Sequence, residues 1–206
     1  MVLPRLLRQS NGSAVVFLSV GIVPLLIALG LILAAPHSAL AAPCDPQISG
    51  FGPTSSPDTV DALHNNGVYG GVASSAPTPS GYVVFDNNGN IPFGAFGTWS
   101  AAHMPNANYL GWRNLQSYDP SNCSALCNVT STCRSFNMFY QRSPTLEPSW
   151  NASSSCYNPP STVEIMCTLW NTNITVSAIE VNFGWARGGF NVAIVASKFY
   201  NKKGTS

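Results

Sequence analysis

Five of the six cysteines of this chain lie between Cys123 and Cys167, and the sixth, Cys44, stands far upstream. All six follow a hydrophobic N-terminal segment. An even number of cysteines behind such a segment is typical of a disulfide framework in an oxidising compartment. Disulfides hold small, loop-rich folds together, so the cysteines constrain which segments can be neighbours. Six cysteines can pair in fifteen ways, and their spacing alone leaves the pairing open.

The N-terminal segment has the order of a secretory signal peptide. Arg5 and Arg8 precede the apolar residues 14–35, and the small-residue site Ala39-Leu40-Ala41 follows. This order predicts a signal peptide over residues 1–41 that is cleaved after Ala41, and hence a secreted protein. The apolar stretch is also long enough to span a bilayer, so the alternative is an uncleaved membrane anchor with the rest of the chain outside the cell.

The chain carries little charge. Only 8% of its residues are charged, against about a quarter in ordinary soluble proteins. Its one basic group is Lys198, Lys202 and Lys203, which is too small for the phosphate contacts that nucleic-acid binding requires.

N-glycosylation motifs are expected to add solubility, and the sequence predicts a glycoprotein. The four motifs begin at Asn122, Asn128, Asn151 and Asn173. Asn122 is the least suitable of them, because Cys123 is its middle residue and a predicted helix surrounds it.

The second half of the chain predicts a sheet with one short helix. Asp119-Pro120 is a helix start, since Asp caps and Pro is tolerated in the first turn, and the helix is expected over about 120–128. Cys123 and Cys127 then share one face of it. Strands are predicted at residues 109–113, 134–141, 163–170 and 190–196, with a long loop at 143–161. The expected class is α+β.

The first half predicts less regular structure. Residues 42–80 are expected to be mostly irregular, with a short helix that begins at Ser56-Pro57-Asp58 and ends at 65–67. A strand is predicted at 81–85, and residues 91–108 are expected to form a loop on the domain. The whole of 42–108 is therefore interpreted as an N-terminal extension packed on the core.

Several motifs resemble a known family. Tyr118-Asp119-Pro120, followed by the C-x3-C-x5-C spacing and Arg134–Asn137, resembles the centre of PAN/apple domains. Phe136–Pro144, Cys156–Thr162, Ile165–Trp170 and the tail 184–197 are similar to a group of secreted fungal proteins that carry a PAN-like core. The resemblance implies a PAN/apple-like domain over 109–201, in which disulfides hold one short helix across an antiparallel sheet, and a tail at 202–206. It also implies a secreted protein without a settled activity.

The chain departs from this pattern in two places. Gln141 and Ser143 replace the Glu and Asp of a family phrase, and residues 196–200 replace a Gly-Ser-Asn-Gly-Tyr tail. A ligand-binding role for those family residues would be altered here.

The resemblance also implies a disulfide pairing. It suggests that Cys127 pairs with Cys133 and Cys123 with Cys167, which leaves Cys44 for Cys156. The rival use of clustered cysteines is a zinc site, but His64 and His103 are remote from the single C-x3-C unit. No metal or cofactor is therefore expected.

Aromatic and arginine residues are the candidate binding groups. The sequence lacks a G-x-S-x-G elbow and a phosphate-binding glycine loop, so no catalytic residues and no enzymatic activity are predicted. Tryptophan and arginine dominate binding hot spots, and exposed aromatic rings suit sugar and protein recognition. The candidates are Trp112, Arg113, Arg142, Trp185 and Arg187. The expected function is a non-enzymatic extracellular recognition module for protein or carbohydrate.

Two alternatives stay open at the level of sequence. One is a small secreted hydrolase that uses Asp58, Asp61 or His64, although helix capping and solvation also explain these residues. The other is a structural or effector-like surface protein without a small ligand.

Overall fold

The computed structural model describes residues 42–85, 102–104 and 108–204. In this part of the chain the helices are α1 (Val60–His64), α2 (Gly67–Ser75) and α3 (Pro120–Val129), and Val176–Ala178 form a short 3-10 turn. The strands are β1 (Tyr82–Val84), β2 (Ala102–His103), β3 (Tyr109–Leu115), β4 (Ser135–Pro144), β5 (Ser161–Trp170), β6 (Glu180–Val181), β7 (Gly184–Arg187) and β8 (Phe190–Lys202).

An antiparallel sheet organises the fold. Its strand order is β1-β8-β4-β5-β3, and β7 pairs with the first residues of β8 on the same side as β1. Strands β2 and β6 form a separate antiparallel pair. The α+β class with an antiparallel sheet is confirmed. The strands predicted at 109–113, 134–141, 163–170 and 190–196 are all present, and each is longer than predicted.

Helix α3 lies against this sheet, as predicted. The side chain of Asp119 accepts a hydrogen bond from the Ser121 amide at 2.9 Å, and Pro120 occupies the first turn. Satisfying a free amide at the helix start in this way stabilises the helix.

Three disulfides cross-link the chain. Cys123–Cys167 joins α3 to β5, and Cys127–Cys133 joins α3 to the turn that follows it. Cys44–Cys156 joins the N-terminal segment to the loop before β5. These are the pairs that the resemblance implies. The described part of the chain has no free cysteine, so no thiolate is left for the zinc alternative.

The two faces of the sheet bury different clusters. Phe136, Met138 and Tyr140 of β4 belong to the large core that includes α3 and its cysteines. Phe139 of β4 lies on the other face, where it packs with Met166 and Ile194. Side chains of β4 therefore alternate between the two faces, and both faces are buried, since this strand lies in the middle of the sheet.

Residues 42–85 contain one helix more than the prediction for the N-terminal extension. Helix α2 was not predicted, yet Tyr69 of α2 and Leu63 of α1 are each 1% exposed in the main core. Helix α1 begins at Val60, after its cap Thr59, rather than at Ser56. Strand β1 was predicted, and it pairs with β8 as part of the main sheet.

The loop predicted at 91–108 is only partly described. Residues 102–103 form β2, which pairs with β6, so this part of the prediction is wrong. Residues 86–101 and 105–107, like the predicted signal peptide at 1–41, lie outside the described residues.

A bulge in β8 depends on a buried tyrosine. Met138 faces Lys198 while Tyr140 faces Val195, so β8 has one extra residue, and Ala196 takes a φ of 56° there. The hydroxyl of Tyr118 donates to the Ala196 carbonyl at 2.9 Å and lies 3.2 Å from the Met138 carbonyl. Burial raises the pKa of Tyr118 well above its usual value, so the hydroxyl stays protonated and donates. Tyr118 therefore donates to backbone carbonyls at the bulge, where the strand ladder is interrupted.

Replacing this tyrosine tests that role. We expect Tyr118→Phe to lower the free energy of unfolding by about 1–3 kcal/mol, because buried carbonyls lose their donor. Urea unfolding followed by tryptophan fluorescence measures the change. Tyr157→Phe, at a half-exposed ring, is the matched control and should change stability little; an equal effect in both variants would contradict the assignment.

Candidate functional site

A cavity of about 580 Å³ opens on the face of the sheet opposite α3. We call it the Trp112–Trp185 cavity, after two exposed tryptophans at its margins. Its other lining residues are Gln47, Ile48, Met104, Tyr109, Phe139, Gln141, Ser143, Pro144, Glu164, Met166, Thr168, Trp170, Asn182, Arg187 and Ile194. The volume falls in the usual range for small-ligand sites.

A bulge in β3 brings two aromatic rings to this face. The register shifts between Tyr109 and Gly111, and Gly111 has a φ of +130°, which is strained for residues with a side chain. Side chains normally alternate along a strand. Because the bulge adds one residue, Tyr109 and Trp112 both line the cavity. Trp112 is 41% exposed.

Trp185 lies at the opposite edge of the sheet, on β7. The preceding Gly184 has a φ of +134°, and a Cβ atom there would meet the Val192 carbonyl oxygen at 1.9 Å, so only glycine permits this close pairing with β8. Strands β7 and β3 are four spacings apart, a backbone separation of roughly 19 Å along the sheet. The two tryptophans therefore flank the cavity from opposite edges.

The N-terminal segment supplies one wall. Pro46 bridges to Leu146, and Cys44 is bonded to Cys156. Gln47 and Ile48 follow directly and line the cavity. This wall is thus tied covalently to the loop between β4 and β5.

The floor combines an apolar and a polar part. Phe139, Met166 and Ile194 are almost fully buried and form the apolar part. Beside them, Glu164 Oε2 accepts hydrogen bonds from Ser143 Oγ at 2.5 Å and from Gln141 Nε2 at 3.2 Å. The cavity therefore offers contact area to apolar surface and hydrogen-bonding groups to polar atoms.

Three of the five predicted binding residues meet at this cavity: Trp112, Trp185 and Arg187. The side chain of Arg187 mainly holds the N-terminal wall of the cavity in place. Its guanidinium forms an ion pair with Glu147 and donates to Gln47 Oε1 at 3.0 Å.

The structure separates the other two candidates from the cavity. Arg113 faces Cys167 in the register, so its side chain leaves the sheet on the side opposite to Trp112. Its Nη1 donates to the Trp112 carbonyl at 2.7 Å. Arg142 is only 5% exposed, and its interactions are internal.

The buried side chain of Arg142 forms an ion pair with the exposed side chain of Asp58. The Nη2 of Arg142 lies 2.8 Å from Asp58 Oδ1, and its Nη1 donates to the Asn191 carbonyl at 2.8 Å. The Asp58 carboxylate also accepts from the Ser161 amide and hydroxyl at 2.9 and 2.5 Å. Burial raises the pKa of Asp58, but the hydrogen bonds from Ser161 and Arg142 outweigh it and leave the pKa below its usual value.

Two of the three residues of the hydrolase alternative lie at one cavity, and the third does not. Asp58 and Asp61 line a second, shallow cavity of about 260 Å³ together with Arg142. His64 does not belong to that lining; its ring meets Phe183 edge-on at 5.9 Å. Since both Asp58 oxygens already accept hydrogen bonds, this carboxylate is poorly placed to exchange protons with a substrate.

Sequence reasoning missed the polar floor. Glu164 was not singled out, although it is the one charged residue in the apolar run of β5, and a lone carboxylate in such a run is a usable signal. Gln141 and Ser143 were noted only as departures from the family phrase. Both turn out to contact Glu164.

The glycosylation motifs stay predictions, and their asparagines occupy different environments. Asn122, Asn128 and Asn151 are exposed, whereas Asn173 is half-buried. In the Asn122 motif, Ser124 is buried and its hydroxyl donates to the Ser121 carbonyl at 2.9 Å. This agrees with the expectation that Asn122 is the least suitable acceptor.

Comparisons of the chain with family models, with curated proteins and with solved structures found no match. The likeness to PAN/apple domains therefore depends on the sequence motifs alone and stays a prediction. Within the described residues, no helix has the length and apolar character needed to cross a bilayer.

Proposed function

We propose that this protein is a non-enzymatic extracellular recognition module, with a PAN-like core, that binds a short carbohydrate in the Trp112–Trp185 cavity. The observation that carries the proposal is the pair of exposed tryptophans on β3 and β7, which line one cavity from opposite edges of the sheet. Aromatic rings offer flat apolar surfaces to the C–H faces of sugars, and their polar tips stay near solvent.

The shape and lining of the cavity favour a sugar over a protein partner. Stable protein interfaces bury about 800 Å² on each side and are flatter than a cavity of this kind. Hydrogen-bonding side chains, among them Gln47, Gln141 and Asn182, surround the apolar floor. Such a mixture suits the alternating C–H and hydroxyl groups of a sugar ring.

The extracellular setting is supported by the disulfides. Structural disulfides are typical of proteins in oxidising compartments, and the order of residues 1–41 predicts export.

The tryptophans give a direct test. On a panel of neutral and charged glycans, we expect saturable binding to at least one glycan. Trp112→Ala and Trp185→Ala should each weaken this binding about thirtyfold, equivalent to about 2 kcal/mol, because the sugar loses an aromatic ring against which it packs. Isothermal titration calorimetry on the best glycan measures the change.

The chain offers a matched control. Trp150 is 79% exposed and does not line the cavity, so Trp150→Ala should bind like the wild type. Absence of saturable binding to any glycan, or binding indifferent to Trp112 and Trp185, would overturn the proposal. Turnover of chromogenic esters or glycosides that is abolished by Asp61→Asn or His64→Ala would instead support the hydrolase.

A further inference from the structure

In the described part of the chain, Glu164 is a buried carboxylate whose hydrogen-bond partners are all neutral. It is 7% exposed, and besides Ser143 and Gln141 its described partner is Asn114, whose Nδ2 donates a long hydrogen bond at 3.4 Å. Neither ion pair among the described residues involves Glu164. Buried carboxylates ordinarily have a cationic partner. Among the described residues, the carboxylate at the base of the Trp112–Trp185 cavity therefore has no counter-charge.

The other charged residue of the lining does not supply that counter-charge. Arg187 is neutralised by its ion pair with Glu147. Among the described residues, the charges of Arg187 and Glu147 cancel each other. Glu164 is then the charged residue of the described lining that has no oppositely charged partner.

The surroundings of Glu164 strengthen the attraction for a cation. Phe139, Met166 and Ile194 form an apolar floor beside the carboxylate, and a charge interaction is stronger where the effective dielectric constant is low. Aromatic rings also attract cations through their negative faces, and Tyr109, Trp112 and Trp185 line the same cavity.

We infer that the ligand of this cavity carries an ammonium group that lies beside Glu164, as an amino sugar without its acetyl group does. This inference rests on the carbohydrate binding proposed above and names the chemical class of the sugar. The tryptophans hold the sugar rings, and the Glu164 carboxylate pairs with the ammonium.

The test compares two sugar oligomers of equal length, one with free ammonium groups and one in which acetyl groups remove that charge. Calorimetry measures the affinity of the purified protein for a glucosamine oligomer and for the N-acetylglucosamine oligomer of equal length. We expect the amine form to bind at least tenfold more tightly at low salt, because its ammonium pairs with the Glu164 carboxylate. Added salt should reduce this preference, because ions that enter the open cavity screen the attraction between the two charges.

A charge-removing variant locates the effect. Glu164→Gln keeps the size and one acceptor of the side chain, and should remove the preference for the amine form. Glu180→Gln removes an equal charge at an exposed position of β6, outside the cavity, and should keep the preference. The comparison of the two oligomers on the wild-type protein needs no variant and stays informative if Glu164→Gln folds poorly.

The outcomes separate the two proposals. Binding of the two oligomers with equal affinity, lost in Trp112→Ala, overturns the ammonium inference and leaves carbohydrate binding intact. If neither oligomer nor any other glycan binds, carbohydrate binding fails, and benzyltrimethylammonium then probes the cation site alone. Binding of this probe that is lost in Glu164→Gln supports the site, and its absence overturns it.

Discussion

Removing the disulfide between α3 and β5 is expected to lower the free energy of unfolding by about 4 kcal/mol. Cys123 and Cys167 are 44 residues apart, and in the chain-entropy model the lost constraint on the unfolded chain has about this size. Both cysteines are fully buried in the main core. The double variant Cys123→Ala/Cys167→Ala avoids a free thiol, and urea unfolding measures its stability.

The disulfide that closes a short loop at the end of α3 is the matched control. Cys127 and Cys133 are only 6 residues apart, so the same model gives about 2 kcal/mol for Cys127→Ala/Cys133→Ala. We expect the first variant to be clearly the less stable of the two and to be secreted poorly. Equal losses in both variants would show that chain entropy does not govern these cross-links.

Asp58→Ala is expected to destabilise the protein by about 2 kcal/mol, because a buried charge loses its charged hydrogen-bond partner. The side chain of Arg142 is 6% exposed, whereas that of Asp58 is 43% exposed. The variant leaves the Arg142 guanidinium without a carboxylate and with the backbone carbonyls of Asn191 and residue 58 as its remaining acceptors. Asp61→Ala, at an exposed neighbour in α1, is the control and should cost less than about 1 kcal/mol.

The double variant Asp58→Ala/Arg142→Met sharpens this test. It removes both charges and keeps an apolar side chain in the space of the arginine stem, so we expect it to be more stable than Asp58→Ala alone. The single variant Arg142→Met completes the comparison. If the stability losses of the two single variants add up to the loss in the double variant, the two residues do not interact as the structure indicates.

Acidification should weaken the interaction between Asp58 and Arg142. The folded-state pKa of Asp58 lies below its usual value of 3.8. A depressed carboxylate pKa contributes stability that is complete above the unfolded-state pKa and is lost as the pH falls through the folded-state pKa. The wild-type protein should therefore lose this contribution below about pH 4, and Asp58→Ala should lack it in the same titration.

Local chemistry explains which elements the sequence predicted well. Asp119 and Pro120 specify the start of α3 by capping and by a fixed φ, and these effects need no distant partner. The apolar and alternating runs of β4, β5 and β8 are long enough to indicate strands by themselves. Their ends were misplaced, since pairing with neighbouring strands extends β4 to Pro144 and β8 to Lys202.

The candidate site could be predicted only in part. Trp112 and Trp185 were identified by residue type, because exposed tryptophans near arginines suit binding. Their convergence depends on the strand order and on the bulge at Gly111, neither of which a residue pattern encodes. Arg142 has the same residue type as Arg187, but Asp58, 84 residues away, makes it part of the interior.

The sequence by itself determined the capped helix α3 and the central strands, because these depend on the chemistry of adjacent residues. Helix α2 shows what only the tertiary structure decided. Its residues include three glycines and lack a helical apolar pattern, so intrinsic propensity opposes a helix. Burial of Tyr69 and the ammonium of Lys198, which donates to the Ala73 and Ala76 carbonyls at 2.9 and 2.8 Å, hold its last turn. Lys198 arrives from β8, more than a hundred residues along the chain, and contacts at that separation exist only once the sheet has formed.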